Sequence, residues 1–519
     1  MKKLLWSVAA LAISGCLLNA MPHADAVSVA GGEHDSKIVW GPCPAAPANV
    51  QVDPQQTCGT LNVPLDYRQP RGKKIEIAVS RIPASDPAKR RGVLLLNPGG
   101  PGSEGLHLPS IFTGLTSEAV LATYDRIGFD PRGVGHSSPV TCGLTAAEVM
   151  PPNPYPASDG SIDKNVDYAR SAAARCAKHS GDVLPYITTA NTARDMDRIR
   201  KALGERKLSY WGGSYGTYLG AAYSSLFPHR TDRMVLDSAV DPTRIWYDEF
   251  RQQSAGMAVR FPDAARYAAD HVDEIKLGST PRSVTNSYLR LAARLDARPL
   301  TVRGTSTVLT GNVFRYMTYS LLYQDGAIPP MALAWRAAAD LSDGNATDAQ
   351  VSTLREILQV ISPSAPTSPG VPKDNSIAAA YAIACGDVRW PRNVNTYAHN
   401  VAEDRKAFPL SAGFAANMWP CAFWPTAPVE PVITISDEGP RNIMILQNER
   451  DPATTLTSGR GMRRALGSRS TLVTVDAGGH GVYGMQGSGA CANKTADAFL
   501  VRGVMPEHDV HCPEPRLVF

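Results

Sequence analysis

The chain has 519 residues, 43% hydrophobic and 19% charged, enough apolar material for a large core and a length of about two to four domain-sized units. A formal net charge of +4 is small for this size, and no block of lysine and arginine interleaved with aromatics occurs, which argues against a nucleic-acid-binding role. Beyond the N-terminal segment no apolar stretch is long enough to span a bilayer, so no transmembrane segment is expected.

The first element in chain order is an export signal. Lys2 and Lys3 precede the apolar run 4–18, and Ala24-Asp25-Ala26 supplies a small-residue cleavage site, which reads as a signal peptide over residues 1–26. Ile13-Ser14-Gly15-Cys16 also resembles a lipobox, so a lipid anchor at Cys16 competes with release of a soluble protein. The apolar Leu17-Leu18 that follows slightly favours release. Of nine cysteines, the eight other than Cys16 form an even set, which in an exported chain reads as disulfides. Their clustering suggests Cys43–Cys58, Cys142–Cys176, Cys385–Cys421 and Cys491–Cys512, although the count alone leaves the connectivity open. No C-x-x-C spacing points to zinc, and no metal site is expected.

Strands are expected over 59–65, 74–81 and 93–96, the last stopped by the turn Asn97-Pro98-Gly99-Gly100-Pro101-Gly102. The run 124–129 is the next strand. A helix is expected over 192–203, capped by Asn191 or Thr192 and ended by Gly204. A strand over 208–211 then runs into Gly212-Gly213-Ser214-Tyr215-Gly216, followed by a small-residue helix over 217–227 and a strand over 234–236. This alternation means βαβ units and a parallel sheet. Between 241 and 431 the rhythm changes to helical spacing (283–295, 313–322, 348–361) with a Pro- and Ser-rich segment at 362–372. It resumes with strands over 442–446 and 471–475, the second ending in Gly478-Gly479-His480-Gly481. The expected organisation is an α/β core in two parts, 38–240 and 432–519, interrupted by a mainly helical cap at 241–431.

Gly212-Gly213-Ser214-Tyr215-Gly216 matches G-x-S-x-G, in which a serine sits on a tight strand-to-helix turn that tolerates little bulk beside it. A serine hydroxyl becomes a nucleophile only when a base takes its proton. His480, in a glycine-flanked loop after the last strand of the pair, is the candidate base, whereas His136 in its Gly-Val-Gly-His turn reads as structural. The chain order serine, acid, histidine places the acid at Asp451, with Asp237 and Asp241 as alternatives. The oxyanion of a tetrahedral intermediate needs N–H donors. Tyr215, directly after the nucleophile, and Gly100, in the turn after the third strand, are the candidates.

Six segments together resemble one family: Asn97-Pro98-Gly99-Gly100-Pro101-Gly102, Phe129-Asp130-Pro131-Arg132-Gly133-Val134-Gly135, Thr192-Ala193-Arg194-Asp195-Met196, Trp211-Gly212-Gly213-Ser214-Tyr215-Gly216-Thr217, Asp451-Pro452-Ala453-Thr454 and Gly479-His480-Gly481. The chain is similar to the secreted tripeptidyl aminopeptidases of actinomycetes and their mycobacterial cell-envelope serine protease and esterase relatives, in the proline-iminopeptidase branch of the α/β hydrolases. The resemblance implies an α/β-hydrolase fold with a helical cap, a Ser214-Asp451-His480 triad, Thr454 beside the acid, no cofactor, and removal of short peptides from free N-termini. Thr455 departs from the proline frequent in relatives at that position. A peptide with a free N-terminus as substrate requires a shielded carboxylate for its ammonium group, for which Asp387 is the first candidate and Glu249 the second. A carboxylesterase uses the same triad, and a catalytically dead hydrolase fold used for adhesion is a further alternative that the intact triad residues oppose. A monomer is expected.

Overall fold

The short apolar runs become strands: β1 (Thr57–Pro64), β2 (Lys74–Ile82), β3 (Gly92–Asn97), β4 (Tyr124–Phe129), β5 (Leu208–Gly213), β6 (Thr231–Asp237), a small ribbon of β7 (Leu300–Thr301) and β8 (Val308–Leu309), then β9 (Ile443–Arg450), β10 (Ser470–Gly478) and β11 (Val510–Cys512). In this computed structural model residues 37–149, 155–361, 367–485 and 489–513 are described. The expected signal peptide, Cys16 and residues 362–366 of the Pro- and Ser-rich segment lie outside them.

Nine strands form one sheet in the order β1-β2-β4-β3-β5-β6-β9-β10-β11. β1 pairs antiparallel with β2, and β2 with β4, while every pair from β4 to β11 is parallel. Every residue of β3 and β4 is buried, as continuous apolar runs covered on both faces require. The parallel register sets the carboxyl ends side by side: Asn97 faces Gly212, Gly213 faces Asp237, and Arg450 faces Gly478. The turns leaving those ends carry Gly100, Ser214, Asp451 and His480, so one edge of the sheet collects residues far apart in sequence. Ligand sites of open α/β sheets form at such carboxyl ends.

Among the element boundaries that differ from the sequence reading, two bear on the site. The helix expected from residue 192 starts earlier, at Thr189–Ala202, because the side chain of Thr188 accepts from Asn191 N and caps it. The helix after the elbow starts at Tyr215, directly on Ser214.

From the end of β6 to β9 the chain is mainly helical and packs in two ways. Helices including Tyr247–Asp270, Pro281–Ala297, Gly311–Leu321 and Ile328–Ser342 build a core of their own around Phe261, Tyr288, Phe314 and Trp335. The later helices Asn375–Asp387 and Val394–Ala407 bury Ala382, Tyr397 and Val401 in the same cluster as the sheet residues Leu95 and Ile127. The four disulfides are Cys43–Cys58, Cys142–Cys176, Cys385–Cys421 and Cys491–Cys512, the pairing suggested by their clustering. They fit an oxidising compartment. Among the described residues no helix is long and apolar enough to cross a membrane.

Candidate active site

Ser214 stands between β5 and the helix Tyr215–Leu226 with φ +55° and ψ −123°. A non-glycine residue held there costs about 1–3 kcal/mol and persists only where its surroundings impose it. Ser214 N donates to the Asp237 carbonyl at 2.8 Å. The two motif glycines allow the approach of neighbours: a Cβ on Gly212 would lie 2.5 Å from the Tyr210 hydroxyl, and one on Gly216 2.8 Å from Asn97 Oδ1. Gly99 presses the β3 turn against the elbow, since a Cβ there would lie 2.9 Å from that of Ser214.

Asp451 is fully buried at the start of the turn after β9. Its Oδ1 accepts from Ala453 N at 2.8 Å and Thr454 N at 3.0 Å, and its Oδ2 accepts from Thr454 Oγ1 at 3.1 Å. Gln447 Nε2 donates to the Thr454 carbonyl at 2.8 Å and steadies the same turn. His480 Nδ1 lies 2.9 Å from Asp451 Oδ2 and 3.1 Å from Oδ1. The imidazole is 15% exposed. Burial alone lowers its pKa, but the charge and hydrogen bond of Asp451, with the charge of Asp237, outweigh burial and raise it above the ordinary histidine value.

The histidine loop is fixed on several sides. Asp237, an alternative acid at the sequence level, accepts from Val482 N and Tyr483 N, each at 2.8 Å. Burial pushes its carboxyl up to about 6. Ser238 Oγ accepts from Gly481 N, and Asn448 Nδ2 donates to the carbonyls of Gly478, Gly479 and Gly481. Asp241, the other alternative, accepts from the backbone and hydroxyl of Thr243. His136 lies in the turn after β4, where its N–H donates to Asp130.

A cavity of about 260 Å³, open to solvent, joins Gly100, Ser214, Tyr215, Glu249, Thr454 and His480. The helix Tyr247–Asp270 contributes one wall, with Trp246 just before it and Glu249, Phe250 and Gln253 at its start, the spacing of one helix face. Tyr323 lies across from them in the same lining, its ring edge-on to that of His480 at 5.2 Å between centroids. Of these, Trp246, Phe250, Gln253 and Tyr323 are not visible as site residues in the sequence. The signal that was available is the pairing of Glu249 with Gln253 four residues on, flanked by aromatics one helical turn away.

The two candidate ammonium acceptors separate. Asp387 is not among the residues lining this cavity. Its Oδ1 accepts from Thr189 N at 2.8 Å, and its Oδ2 accepts from Thr189 Oγ1 at 2.7 Å and Trp246 Nε1 at 3.1 Å. Those bonds tie the helix Asn375–Asp387 to the start of the helix Thr189–Ala202 and to the back of Trp246. Glu249 lines the cavity; its Oε2 accepts from Ser458 Oγ at 3.1 Å, and its Oε1 is buried without a hydrogen-bond partner. Burial pushes the Glu249 carboxyl up to about 8, against the opposing hydrogen bonds from Ser458 and the Asp241 backbone. Among the described residues no group of three or more His, Cys, Asp or Glu side chains is disposed to hold a metal ion.

A serine elbow, a carboxylate-bonded histidine and a glycine turn meeting at the carboxyl edge of this sheet define an α/β hydrolase. The model described as alpha/beta hydrolase fold matches residues 92–326, and one described as TAP-like protein matches residues 407–512. The tripeptidyl aminopeptidase of Streptomyces coelicolor is 36% identical, over 92% of this chain and 86% of that protein. Serine protease Hip1 of Mycobacterium tuberculosis is 30% identical, over 92% of this chain and 91% of its own length. Carboxylesterase B of Mycobacterium tuberculosis is also 30% identical, over 97% and 96%. The chain belongs to this family of α/β hydrolases, as the six sequence segments imply.

Proposed function

We propose that the protein is an exported serine exopeptidase that removes short peptides from free N-termini. In this reading Ser214 Oγ attacks the scissile carbonyl while His480 Nε2 takes its proton, Asp451 orients the imidazole through Nδ1, and Tyr215 N–H and Gly100 N–H receive the oxyanion. Collapse of the intermediate breaks the C–N bond, and His480 returns the proton to the leaving amine. Water, activated by the same base, then releases the acyl peptide from Ser214. Thr454 steadies Asp451.

The observation that carries the peptidase reading is Glu249. A carboxylate oxygen without a partner, buried in the wall of the cavity that Ser214 also lines, is stabilised by a cation, and a peptide's ammonium group supplies one. Glu249, rather than Asp387, is therefore assigned the substrate amine. Residues 1–26 as a signal peptide, together with four disulfides, support export, with release favoured over anchoring at Cys16. The second reading is a cell-envelope carboxylesterase. What favours it is the aromatic wall of Trp246, Phe250 and Tyr323, which suits an uncharged acyl group as well as a peptide.

Hydrolysis of a tripeptide anilide with a free N-terminus, against the same compound N-acetylated and a Ser214→Ala blank, tests the proposal. Preferential cleavage of the free-amine compound is expected. Equal cleavage of both, or of neither while a simple ester is hydrolysed, contradicts the peptidase and supports the esterase.

A further inference from the structure

The inserted region touches the catalytic loop as well as the substrate cavity. His480 N donates to the carbonyl of Tyr323, a residue of the insertion, at 2.7 Å. That carbonyl also abuts the backbone before the histidine, where a Cβ on Gly479 would lie 2.7 Å from it. The base is thus held on one side by core residues (Asp237, Ser238, Asn448) and on the other by a peptide from a separate layer of the molecule.

What fixes that peptide is Arg260, 1% exposed in the helix Tyr247–Asp270. Its Nε donates to the Leu322 carbonyl at 3.2 Å, one guanidinium nitrogen donates to Asp263 Oδ2 at 2.6 Å, and the other pairs with Asp325. The guanidinium occupies the space above β10 where a Cβ on Gly478 would stand, 1.8 Å from one of its nitrogens. Asp263 in turn accepts from Arg450 Nε at 2.9 Å, and Arg450 directly precedes Asp451 and also pairs with Asp476 of β10. The chain of charges Asp325, Arg260, Asp263, Arg450 and Asp476 therefore links the Tyr323 turn to the strands that end at the acid and the base.

We propose that Arg260 is a positioning residue for the reaction: from the insertion it anchors the Leu322–Tyr323 backbone and packs on Gly478, keeping His480 in register with Asp451 and Ser214. A planar guanidinium suits this place, since it serves two carboxylates and a carbonyl at once, which a lysine ammonium does with less directional control. The inference rests on Ser214, His480 and Asp451 as the triad and is independent of whether the substrate is a peptide or an ester.

The test measures kcat and KM for a p-nitrophenyl ester, with active sites counted by a fluorophosphonate label, in Arg260→Lys, Asp325→Asn and Ser214→Ala. Asp340→Asn is the control, because Asp340 pairs with Arg336 and Gln350 within the same insertion. Misplacement of a catalytic group by an ångström costs up to about a hundredfold, so Arg260→Lys is expected to lower kcat roughly ten- to a hundredfold with KM changed by less than about threefold. Asp325→Asn, close to isosteric, carries the same signature should the lysine variant fail to fold, and Asp340→Asn at a comparable loss of Tm leaves kcat within about twofold. Unchanged kcat per labelled site in the two clamp variants, or an equal fall in the control, overturns the inference. Turnover retained by Ser214→Ala overturns the triad and this inference with it; its loss there, with unchanged kcat in Arg260→Lys, overturns the inference alone.

Discussion

At the scale of single residues, the binding role proposed for Glu249 has a consequence for the energetics of folding. Burial raises its carboxyl from an ordinary value of 4.5 to about 8. Between those values the folded protein keeps a proton that the unfolded chain has released, so stability falls as pH rises through that window and levels off above it. Glu249→Gln removes the effect: the Tm of the variant is expected to decline less than that of the parent between pH 5 and 8, read by thermal denaturation in matched buffers. A free-amine substrate favours the ionised carboxylate, so its kcat/KM rises toward pH 8, where the ammonium group, with a pKa of about 7.7–8.0, begins to lose its own proton. Glu249→Gln should lower kcat/KM on free-amine peptides roughly a hundredfold, the cost of losing a charge-assisted bond, and leave an acetylated peptide or ester unaffected. An equal fall on both substrate types would assign Glu249 a structural role.

The residues proposed to react were legible as candidates for a reason that does not extend to Glu249. Ser214, Asp451 and His480 each follow a short apolar strand, and parallel register brings strand ends together whatever lies between them. An ammonium site has no such local signature. Asp387 sits beside a disulfide cysteine and reads as special; only tertiary structure shows its oxygens taken by Thr189 and Trp246.

At the scale of elements, those same bonds give Asp387 a definite task. It joins the helix Asn375–Asp387 to Thr189, the first residue of the helix Thr189–Ala202, and so fastens the insertion to the sheet's flank. Asp387→Asn weakens charge-assisted bonds in a buried site and should destabilise the protein by about 1–3 kcal/mol, measured from urea midpoints. The preference for free over acetylated N-termini should be unchanged; a lost preference would return Asp387 to the substrate site. Boundaries of elements were less legible than their existence. The helix expected from residue 192, with Asn191 or Thr192 as its cap, begins at Thr189 because the Thr188 hydroxyl caps it; residue type alone does not choose among threonines and an asparagine so close in sequence. The helix Tyr247–Asp270 shows the converse: its apolar periodicity marks a buried face, but nothing local says that its first turns face a cavity and its middle carries a buried arginine.

At the scale of the whole molecule, the change from strand–helix alternation to helical spacing near residue 241 marks where the chain leaves the sheet, and its resumption near 442 marks the return. What the pattern does not carry is that this region divides its packing, one part around Trp335 and another within the cluster of the sheet. The first part is built of amphipathic helices, whereas Asn375–Asp387 is apolar and buried almost all round, and helical periodicity is blind to which neighbour covers either. The disulfides close loops of 15, 34, 36 and 21 residues, each of a size associated with about 3 kcal/mol of stabilisation. Full reduction is therefore expected to lower Tm on the order of 10 °C or more, seen by calorimetry with and without reductant, and an unchanged Tm would contradict that contribution.

The central claim joins Ser214 to Glu249: one residue reacts, the other selects the free N-terminus. It is tested most directly by the rate at which a tripeptidyl diphenyl phosphonate inactivates the protein, with a free or an acetylated N-terminus, followed by mass-spectrometric mapping of the adduct. The account predicts a single adduct on Ser214, formed roughly a hundredfold faster by the free-amine compound in the parent and at similar rates by both compounds in Glu249→Gln. An adduct elsewhere, or equal rates in the parent, would contradict it.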